Sequence, residues 1–270
     1  GALRCWGNNA TGQLGNGSSG NFSDVPVAVS NLTSGVAAIA AGRQHTCALT
    51  TAGAAQCWGD NNDGQLGDGS SGTLRDVPVA VSGLGSRVVA FAAGEYHTCA
   101  LTTEGAMQCW GANFDGQLGT GQTNDSHVPV VVSSLAIGEV AIAAIAASGY
   151  HTCALTTMGA VLCWGNNQYG QLGNGSTASR SLVPVAVNNL TSGVASIAAG
   201  GEHTCALTTM GAVLCWGDNS NGQLGDDSSG NIRNVQVAVS GLGSGVAAIA
   251  AGGGHTCALT TMGAVLCWGN

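Results

Sequence analysis

The sequence predicts an all-β protein, a β-propeller of four-stranded blades, and three observations carry this prediction. Each period holds about four short β-prone segments separated by glycine-rich turns. A Cys-Trp-Gly motif recurs six times, at spacings of 52, 52, 54, 52 and 52 residues. A second motif, His-Thr-Cys-Ala-Leu-Thr-Thr, begins at His45, His97, His151, His203 and His255. A period near 50 residues indicates units that must stack to bury their apolar faces, and four short strands per unit favour a propeller.

The chain divides into about five blade repeats of 52–54 residues. A partial repeat at 1–8 is followed by repeats at approximately 9–59, 60–111, 112–165, 166–217 and 218–270. Residues 1–8 match residues 263–270, so one strand is present twice. Either the extra strand helps to close a ring, or the chain is part of a larger ring or array. The third repeat is two residues longer within 136–149, which predicts a bulge or a longer loop there.

The two recurring motifs form a predicted hairpin in each repeat. Folding the chain about Met210 places Cys205 opposite Cys215 and Leu207 opposite Val213. Directly opposed side chains share a face of the sheet, so a cross-strand disulfide is feasible. The predicted pairs are Cys47–Cys57, Cys99–Cys109, Cys153–Cys163, Cys205–Cys215 and Cys257–Cys267, with Cys5 unpaired. Free buried thiols are the alternative, and the spacing disfavours a zinc site.

Three further segments complete each repeat. A polar connection such as 8–17 follows Cys-Trp-Gly and supplies glycine and asparagine for tight turns. After a variable loop comes a short strand headed by proline in four copies, as in 25–29, with Gln236 in the fifth. The last segment, Val-Ala-Ala-Ile-Ala-Ala-Gly at 36–42, is too short between turns for a helix. Its small residues predict a crowded strand near the propeller axis.

Composition narrows the class of function and the compartment. The net charge is −8, with six arginines and no lysine, which disfavours a nucleic-acid partner. No apolar run reaches the length of about 18 residues that a membrane span needs. Paired cysteines in every repeat favour an oxidising environment. We therefore expect a secreted, extracellular or cell-surface protein.

The combined motifs resemble the repeat of the regulator of chromosome condensation family. They are Ala-Ala-Gly-x-x-His-Thr-Cys-Ala-Leu-Thr, Gly-Ala-x-x-Cys-Trp-Gly, Gly-Gln-Leu-Gly and Val-Pro-Val, and they cover essentially the whole chain. The paired-cysteine form is similar to repeats of exported bacterial members. The resemblance implies a propeller, commonly of seven blades, of which this chain shows about five.

What the resemblance implies about function is broader. The founding member is an exchange factor for a small GTPase and binds chromatin, and another member is a bacterial protein inhibitor of β-lactamases that binds through propeller loops. The acidic charge and the absence of a basic segment in the sequence argue against a chromatin role. Family resemblance therefore predicts architecture and leaves function open.

The residues that recur in every repeat are expected to be structural. We predict hydrogen-bonded histidines, tryptophans packed between adjacent blades, and aspartates that serve turn chemistry. Catalysis by carboxylates needs two acids converging in a cleft, and the acids here are scattered in turns. The segment 60–64 is acidic enough for a calcium alternative but misses the EF-hand spacing. We expect no enzyme activity, no metal and no cofactor.

The residues that break the repetition are the candidate binding residues, because loops vary on a constant scaffold. They are Arg43, Arg75, Glu95, Tyr96, Phe114, Tyr150, Tyr169, Arg180, Glu202 and Arg233. The resulting hypothesis is a non-enzymatic module for protein binding or for structural assembly, with an unidentified protein partner or a second copy. The alternatives are a propeller enzyme acting on an extracellular glycan or peptide, and a regulator like a guanine nucleotide exchange factor.

Overall fold

The structure, a computed structural model, describes residues 1–135 and 140–270, and its regular elements there are all β-strands. The strands are β1 (Arg4–Gly7), β2 (Ser23–Ala28), β3 (Val36–Ala41), β4 (His45–Thr50), β5 (Ala55–Gly59), β6 (Arg75–Ala80), β7 (Val88–Ala93), β8 (His97–Thr102), β9 (Met107–Gly111), β10 (Ser126–Val131), β11 (Ile142–Ser148), β12 (His151–Thr156), β13 (Val161–Asn166), β14 (Arg180–Ala186), β15 (Val194–Ala199), β16 (His203–Thr208), β17 (Val213–Gly217), β18 (Arg233–Ala238), β19 (Val246–Ala251), β20 (His255–Thr260) and β21 (Val265–Gly269).

These strands form antiparallel sheets in chain order. Four sheets have four strands each: β3–β6, β7–β10, β11–β14 and β15–β18. A two-stranded sheet, β1–β2, precedes them, and a three-stranded sheet, β19–β21, follows. The all-β prediction with four-stranded units is therefore confirmed. The sheets are offset from the sequence repeats, because β2 pairs with β1 while β3, β4 and β5 of the same repeat begin the next sheet. Each repeat thus connects two sheets.

The small-residue strands lie innermost, where neighbouring sheets approach closely. Strand β3 contacts β7, β7 contacts β11, β11 contacts β15, and β15 contacts β19. At their ends, a Cβ atom on Gly42 would lie 2.6 Å from the carbonyl oxygen of Gly94. Backbones this close exclude a side chain at this position, which explains the glycine that ends the run. The predicted bulge or longer loop at 136–149 falls partly on residues 136–139, outside the described residues.

The central hairpins have the predicted register. Cys205 lies opposite Cys215 and Leu207 opposite Val213. Five disulfides join the cysteine pairs named from the sequence. Cys5 is a free thiol within the described residues, and partial burial raises its pKa.

The expectation that proline heads its strand is wrong. Strand β6 begins at Arg75, and Pro78 is its fourth residue. The register shifts between the pairs Cys57–Val79 and Gly59–Arg75, so Pro78 lies in the irregular stretch. Strand β6 is also an edge strand. Proline has no backbone N–H to donate. It is tolerated here because neither the irregular stretch nor the free side of an edge strand needs that hydrogen bond.

The tryptophans fill the interface between consecutive sheets, with one exception. Trp110, on β9, is fully buried in a cluster with Leu66, Val81 and Leu84, which lie in the connections before and after β6 of the preceding sheet. Its indole N–H donates to the carbonyl oxygen of Gln65 at 2.9 Å. Trp58, Trp164 and Trp216 are equally buried. Trp6 is 64% exposed, so the prediction is wrong there, because no sheet covers the corresponding face of β1 in the described structure.

Candidate functional site

One end of the propeller, here called the mouth, gathers two kinds of connection. The turns between the first and second strands of the sheets reach it, and so do the connections between the third and fourth strands. At its centre is a pocket of about 180 Å³. The inner-strand ends of five sheets line it, including Gly42, Gly94, Ser148, Gly201 and Gly253. The pocket therefore has walls of backbone and small residues, and larger side chains stand around it.

Beneath the mouth, the repeated histidines connect neighbouring sheets. His45 Nε2 lies 2.9 Å from Thr98 Oγ1, and Thr98 Oγ1 donates to the carbonyl oxygen of Gln65 at 2.9 Å. A hydroxyl has one hydrogen to donate, so the imidazole must be the donor in the first bond. The predicted hydrogen-bonded, structural histidine is what the structure contains. The same arrangement, here called the histidine latch, joins His97 to Thr152, His151 to Thr204 and His203 to Thr256.

The latch histidines are held neutral by burial. Loss of water lowers the pKa of His45 and His203 to about 4, and that of His97 and His151 to about 3. Their Nδ1 atoms are buried without a hydrogen-bond partner in the described structure. Across residues 1–135 and 140–270, no three His, Cys, Asp or Glu side chains form a group that could hold a metal ion. In the 60–64 segment, Asp60 accepts a hydrogen bond from Gln65 Nε2 at 2.9 Å.

Above the latches, three aromatic rings from the variable positions meet. Tyr96 and Tyr150 stack with their centroids 5.8 Å apart and an interplanar angle of 16°. Phe114 lies 5.2 Å from Tyr150 at a tilt of 58° and is 47% exposed. Burial raises the pKa of Tyr150, and the neighbouring Glu95 carboxylate raises it further. These rings come from turns of two adjacent sheets, which the sequence separates by dozens of residues.

Charged residues extend the aromatic group on both sides. Arg43 Nη1 donates to Glu95 Oε2 at 3.0 Å and to the Tyr96 hydroxyl at 2.6 Å. Its guanidinium carbon also lies 5.7 Å from the centre of the Tyr96 ring. On the other side, Arg180 Nη1 donates to the carbonyl oxygen of Phe114 at 2.9 Å. We call this set the mouth cluster: Arg43, Glu95, Tyr96, Phe114, Tyr150 and Arg180.

Glu202 stands close to the mouth cluster. It occupies the position in its repeat that Tyr96 and Tyr150 occupy in theirs. Burial raises the pKa of Glu202, and the carboxylates of Asp218 and Glu95 raise it further. The carboxylate of Glu202 therefore lies within electrostatic range of two other acids at this edge of the mouth.

The remaining candidates lie elsewhere. Arg75 pairs with Asp68 at 3.1 Å, and Arg233 pairs with Asp226 at 2.9 Å. Each arginine also donates to a serine of its own loop, so both brace the loop that carries them. Tyr169 is partly buried, and its backbone N–H donates to Gln171 Oε1 at 3.0 Å. No aromatic stacking joins Tyr169 to the mouth cluster in the described structure.

The sequence analysis missed Asp218 as a member of the site, treating it as a turn residue. A signal was present, because the residue after Cys-Trp-Gly also varies from repeat to repeat. It is Asn8, Asp60, Ala112, Asn166 and Asp218 in the successive repeats. In the structure Asp218 Oδ2 accepts from Gln223 Nε2 and from Ser220 Oγ, each at 2.7 Å. Asp218 therefore stabilises its own turn through these hydrogen bonds, and its negative charge also acts on Glu202.

Comparison with known proteins identifies the architecture. The family model described as the RCC1-like domain matches residues 1–270. The chain belongs to the RCC1-like domain family. This finding confirms the family resemblance seen in the motifs.

Relatives of this RCC1-like chain include much longer proteins. The ultraviolet-B receptor UVR8 of Arabidopsis thaliana is 36% identical over 98% of this chain and 60% of its own length. The human E3 ubiquitin-protein ligase HERC2 is 32% identical over all of this chain and 6% of its own length. The chain thus spans less than two thirds of these curated relatives.

Solved structures agree on the RCC1-like fold. Yeast RCC1 (Prp20), solved with Kap60 bound, superposes with a TM-score of 0.83 and 26% identity, covering 98% of this chain and 64% of that one. Human WBSCR16 superposes with a TM-score of 0.84 at 23% identity, covering 99% of this chain and 73% of that one, and shows the shared fold. The described part of this RCC1-like chain has no helix suited to crossing a bilayer.

Proposed function

We propose that this RCC1-like propeller is a non-enzymatic protein-binding module and that its contact surface is the mouth cluster. The observation that carries the proposal is the separation of roles among the side chains. Residues shared by the repeats are held inside the scaffold in latches, disulfides and tryptophan interfaces. Six of the residues that differ between repeats meet in one cluster at the mouth.

The chemistry of the cluster is suited to anchoring a protein. Tyrosine, arginine and other aromatic residues are the usual hot spots of interfaces. Stacking of the two rings holds Tyr96 and Tyr150 in place before a partner arrives, which reduces the entropy lost on binding. Yeast RCC1, which is 26% identical, was solved with Kap60 bound, so protein binding has a precedent among relatives.

Substitution of the exposed ring tests this surface. A partner captured with the wild-type protein and then purified should bind Phe114→Ala at least about tenfold more weakly, because an aromatic anchor is lost. Met210→Ala is the control, since Met210 is 81% exposed and lies in the turn between β16 and β17, at the opposite end of the sheets. Isothermal titration calorimetry measures both variants. Equal affinities for the two variants would refute the mouth as the contact surface.

We also propose that the protein works outside the cytoplasm. The support is five disulfides in one domain of this size, since such bonds persist in oxidising compartments. Protein isolated from its natural source should retain ten unmodified cysteines after alkylation under denaturing conditions without reductant. Intact mass spectrometry counts the alkylated residues. Alkylation of all 11 cysteines would contradict the proposal.

Self-assembly is a variant of the same proposal. Val265, Leu266 and Met262 of the last sheet are exposed, at 65%, 46% and 91% respectively. A second copy is therefore one identity that the captured partner can have. The alternatives of an enzyme acting on an extracellular glycan or peptide, and of a regulator like a guanine nucleotide exchange factor, stay predictions from the sequence.

A further inference from the structure

The acidic edge of the mouth lacks a matching cation. The segments that carry Glu202 and Asp218 are in contact, because the Asp218 backbone N–H donates to the Glu202 carbonyl oxygen at 2.9 Å. Among the described residues, no side-chain donor bonds to the carboxylate of Glu202, and Arg43 pairs with Glu95. The other cations of the mouth side are committed elsewhere: Arg75 and Arg233 pair with acids of their own loops, and Arg180 bonds to the Phe114 carbonyl. A partly buried carboxylate without a hydrogen-bond partner, here that of Glu202, is unfavourable. A cation bound here would remove that penalty.

The protein itself shows how this surface holds a guanidinium. The Arg43 guanidinium pairs with Glu95, donates a hydrogen bond to the Tyr96 hydroxyl and lies over the Tyr96 ring. Carboxylate, hydroxyl and aromatic face together form a recognition site for arginine. Tyr150 and Glu202 offer an aromatic ring and a carboxylate from the next two sheets. The turns that carry them are in contact, because a Cβ atom on Gly149 would overlap the carbonyl oxygen of Gly201. Among the described residues, no arginine donates a hydrogen bond to either side chain.

We propose that the mouth binds an arginine-rich segment of a partner protein, with an arginine side chain held between Tyr150 and the carboxylates of Glu202 and Asp218. This inference rests on the protein-binding function proposed above and specifies the chemistry of the partner. The net charge of −8 favours a basic partner through long-range attraction as well. Arginine fits better than lysine because its planar group stacks on a ring and bonds a carboxylate through two N–H groups.

A synthetic peptide in which arginine alternates with glycine tests the proposal directly. The wild-type chain should bind it more tightly than the lysine peptide of the same spacing, and should not bind the glutamate peptide. Affinity should fall as the salt concentration rises, because the contact is ionic. Glu202→Gln should weaken binding about tenfold, since one charge partner of a half-buried cation is lost. Fluorescence anisotropy of labelled peptides gives the dissociation constants.

Glu104→Gln is the matched control. Glu104 pairs with Arg87 at 3.2 Å in the connections at the opposite end of the sheets, so its neutralisation should leave peptide affinity unchanged. If Glu104→Gln weakens binding as much as Glu202→Gln does, the peptide responds to overall charge and the proposed site is refuted. Absence of binding by the wild-type chain also refutes it.

Arg43→Ala separates a binding site from a purely structural cluster. Removal of Arg43 frees Glu95 and the Tyr96 ring for an external arginine, so affinity for the arginine peptide should rise about threefold or more. A structural role predicts the opposite, because the cluster would lose order. If Phe114→Ala weakens a captured partner while Glu202→Gln does not, the mouth remains the interface and the arginine-rich chemistry is wrong. If neither variant weakens the partner, the proposed function itself fails.

Discussion

Replacing Trp110 with alanine is expected to lower the free energy of unfolding by about 3–5 kcal/mol. The side chain is fully buried between two sheets and packs on Leu66, Val81 and Leu84. Its removal leaves a cavity in the interface between two sheets, and such interfaces contribute much of the stability of a repeat protein. The carbonyl oxygen of Gln65 keeps the hydrogen bond from Thr98, so most of the effect is lost packing. Urea denaturation followed by circular dichroism measures the difference.

Trp6 provides the matched control for this substitution. It lies in the same Cys-Trp-Gly motif but is 64% exposed, so Trp6→Ala should change stability by about 0.5 kcal/mol or less. Trp110→Phe retains much of the side-chain volume, so its loss in free energy of unfolding should lie between those of Trp6→Ala and Trp110→Ala. This variant replaces Trp110→Ala in the comparison if Trp110→Ala does not fold. Equal losses of stability in Trp6→Ala and Trp110→Ala would contradict the conclusion that the Trp110 indole stabilises the interface between sheets.

Acidification from pH 7.5 to 5.5 is expected to destabilise the protein by about 5 kcal/mol through the four histidine latches. Burial lowers the pKa of these histidines to about 3 or 4, whereas in the unfolded chain it is about 6.5. The unfolded state therefore binds more protons below pH 6.5. The stabilisation is fully present well above that pH and declines as the pH falls toward 4. Between pH 7.5 and 5.5 the loss is about 1.4 kcal/mol per histidine.

Urea denaturation at the two pH values gives the size of the effect. Glu202 and Asp63 oppose it slightly, because burial raises the pKa of both carboxyls. His97→Gln should reduce the pH dependence by about a quarter, since one of four latches no longer titrates. His255→Gln is the control, because His255 has the same motif but is exposed and forms no latch in the described structure. A pH dependence that is unchanged in His97→Gln would refute the latch as its source.

Much of the scaffold could be predicted because it depends on local sequence. Alternation about Met210 and the glycine beside it sufficed to predict that Cys205 faces Cys215. The small residues at 36–42 predicted a crowded inner strand, and the described contacts agree. The prediction about Pro78 failed because a bulge near Gly59 lets the outer strand start earlier. A bulge depends on how two strands pair and is not visible in either strand alone.

The candidate site could be predicted only in part. The argument from irregularity selected Arg43, Tyr96 and Tyr150, which do meet at the mouth. The same argument selected Arg75, which pairs with Asp68 of its own loop. Asp218 was overlooked because an aspartate after a strand is explained equally well by turn chemistry. Irregularity thus identifies positions that are free to vary, and says nothing about which of them become neighbours.

The sequence by itself determined the hairpin register and the cysteine pairing, because each depends on residues within one repeat of 52–54 positions. It also determined the period and the family, because the motifs recur along the whole chain. Only the tertiary structure decided which variable side chains form a surface. Tyr96 and Tyr150 are 54 positions apart in the chain, yet their rings lie 5.8 Å apart. Stacking of sheets around an axis brings equivalent turns of successive repeats together, and that proximity exists only once the repeats have packed.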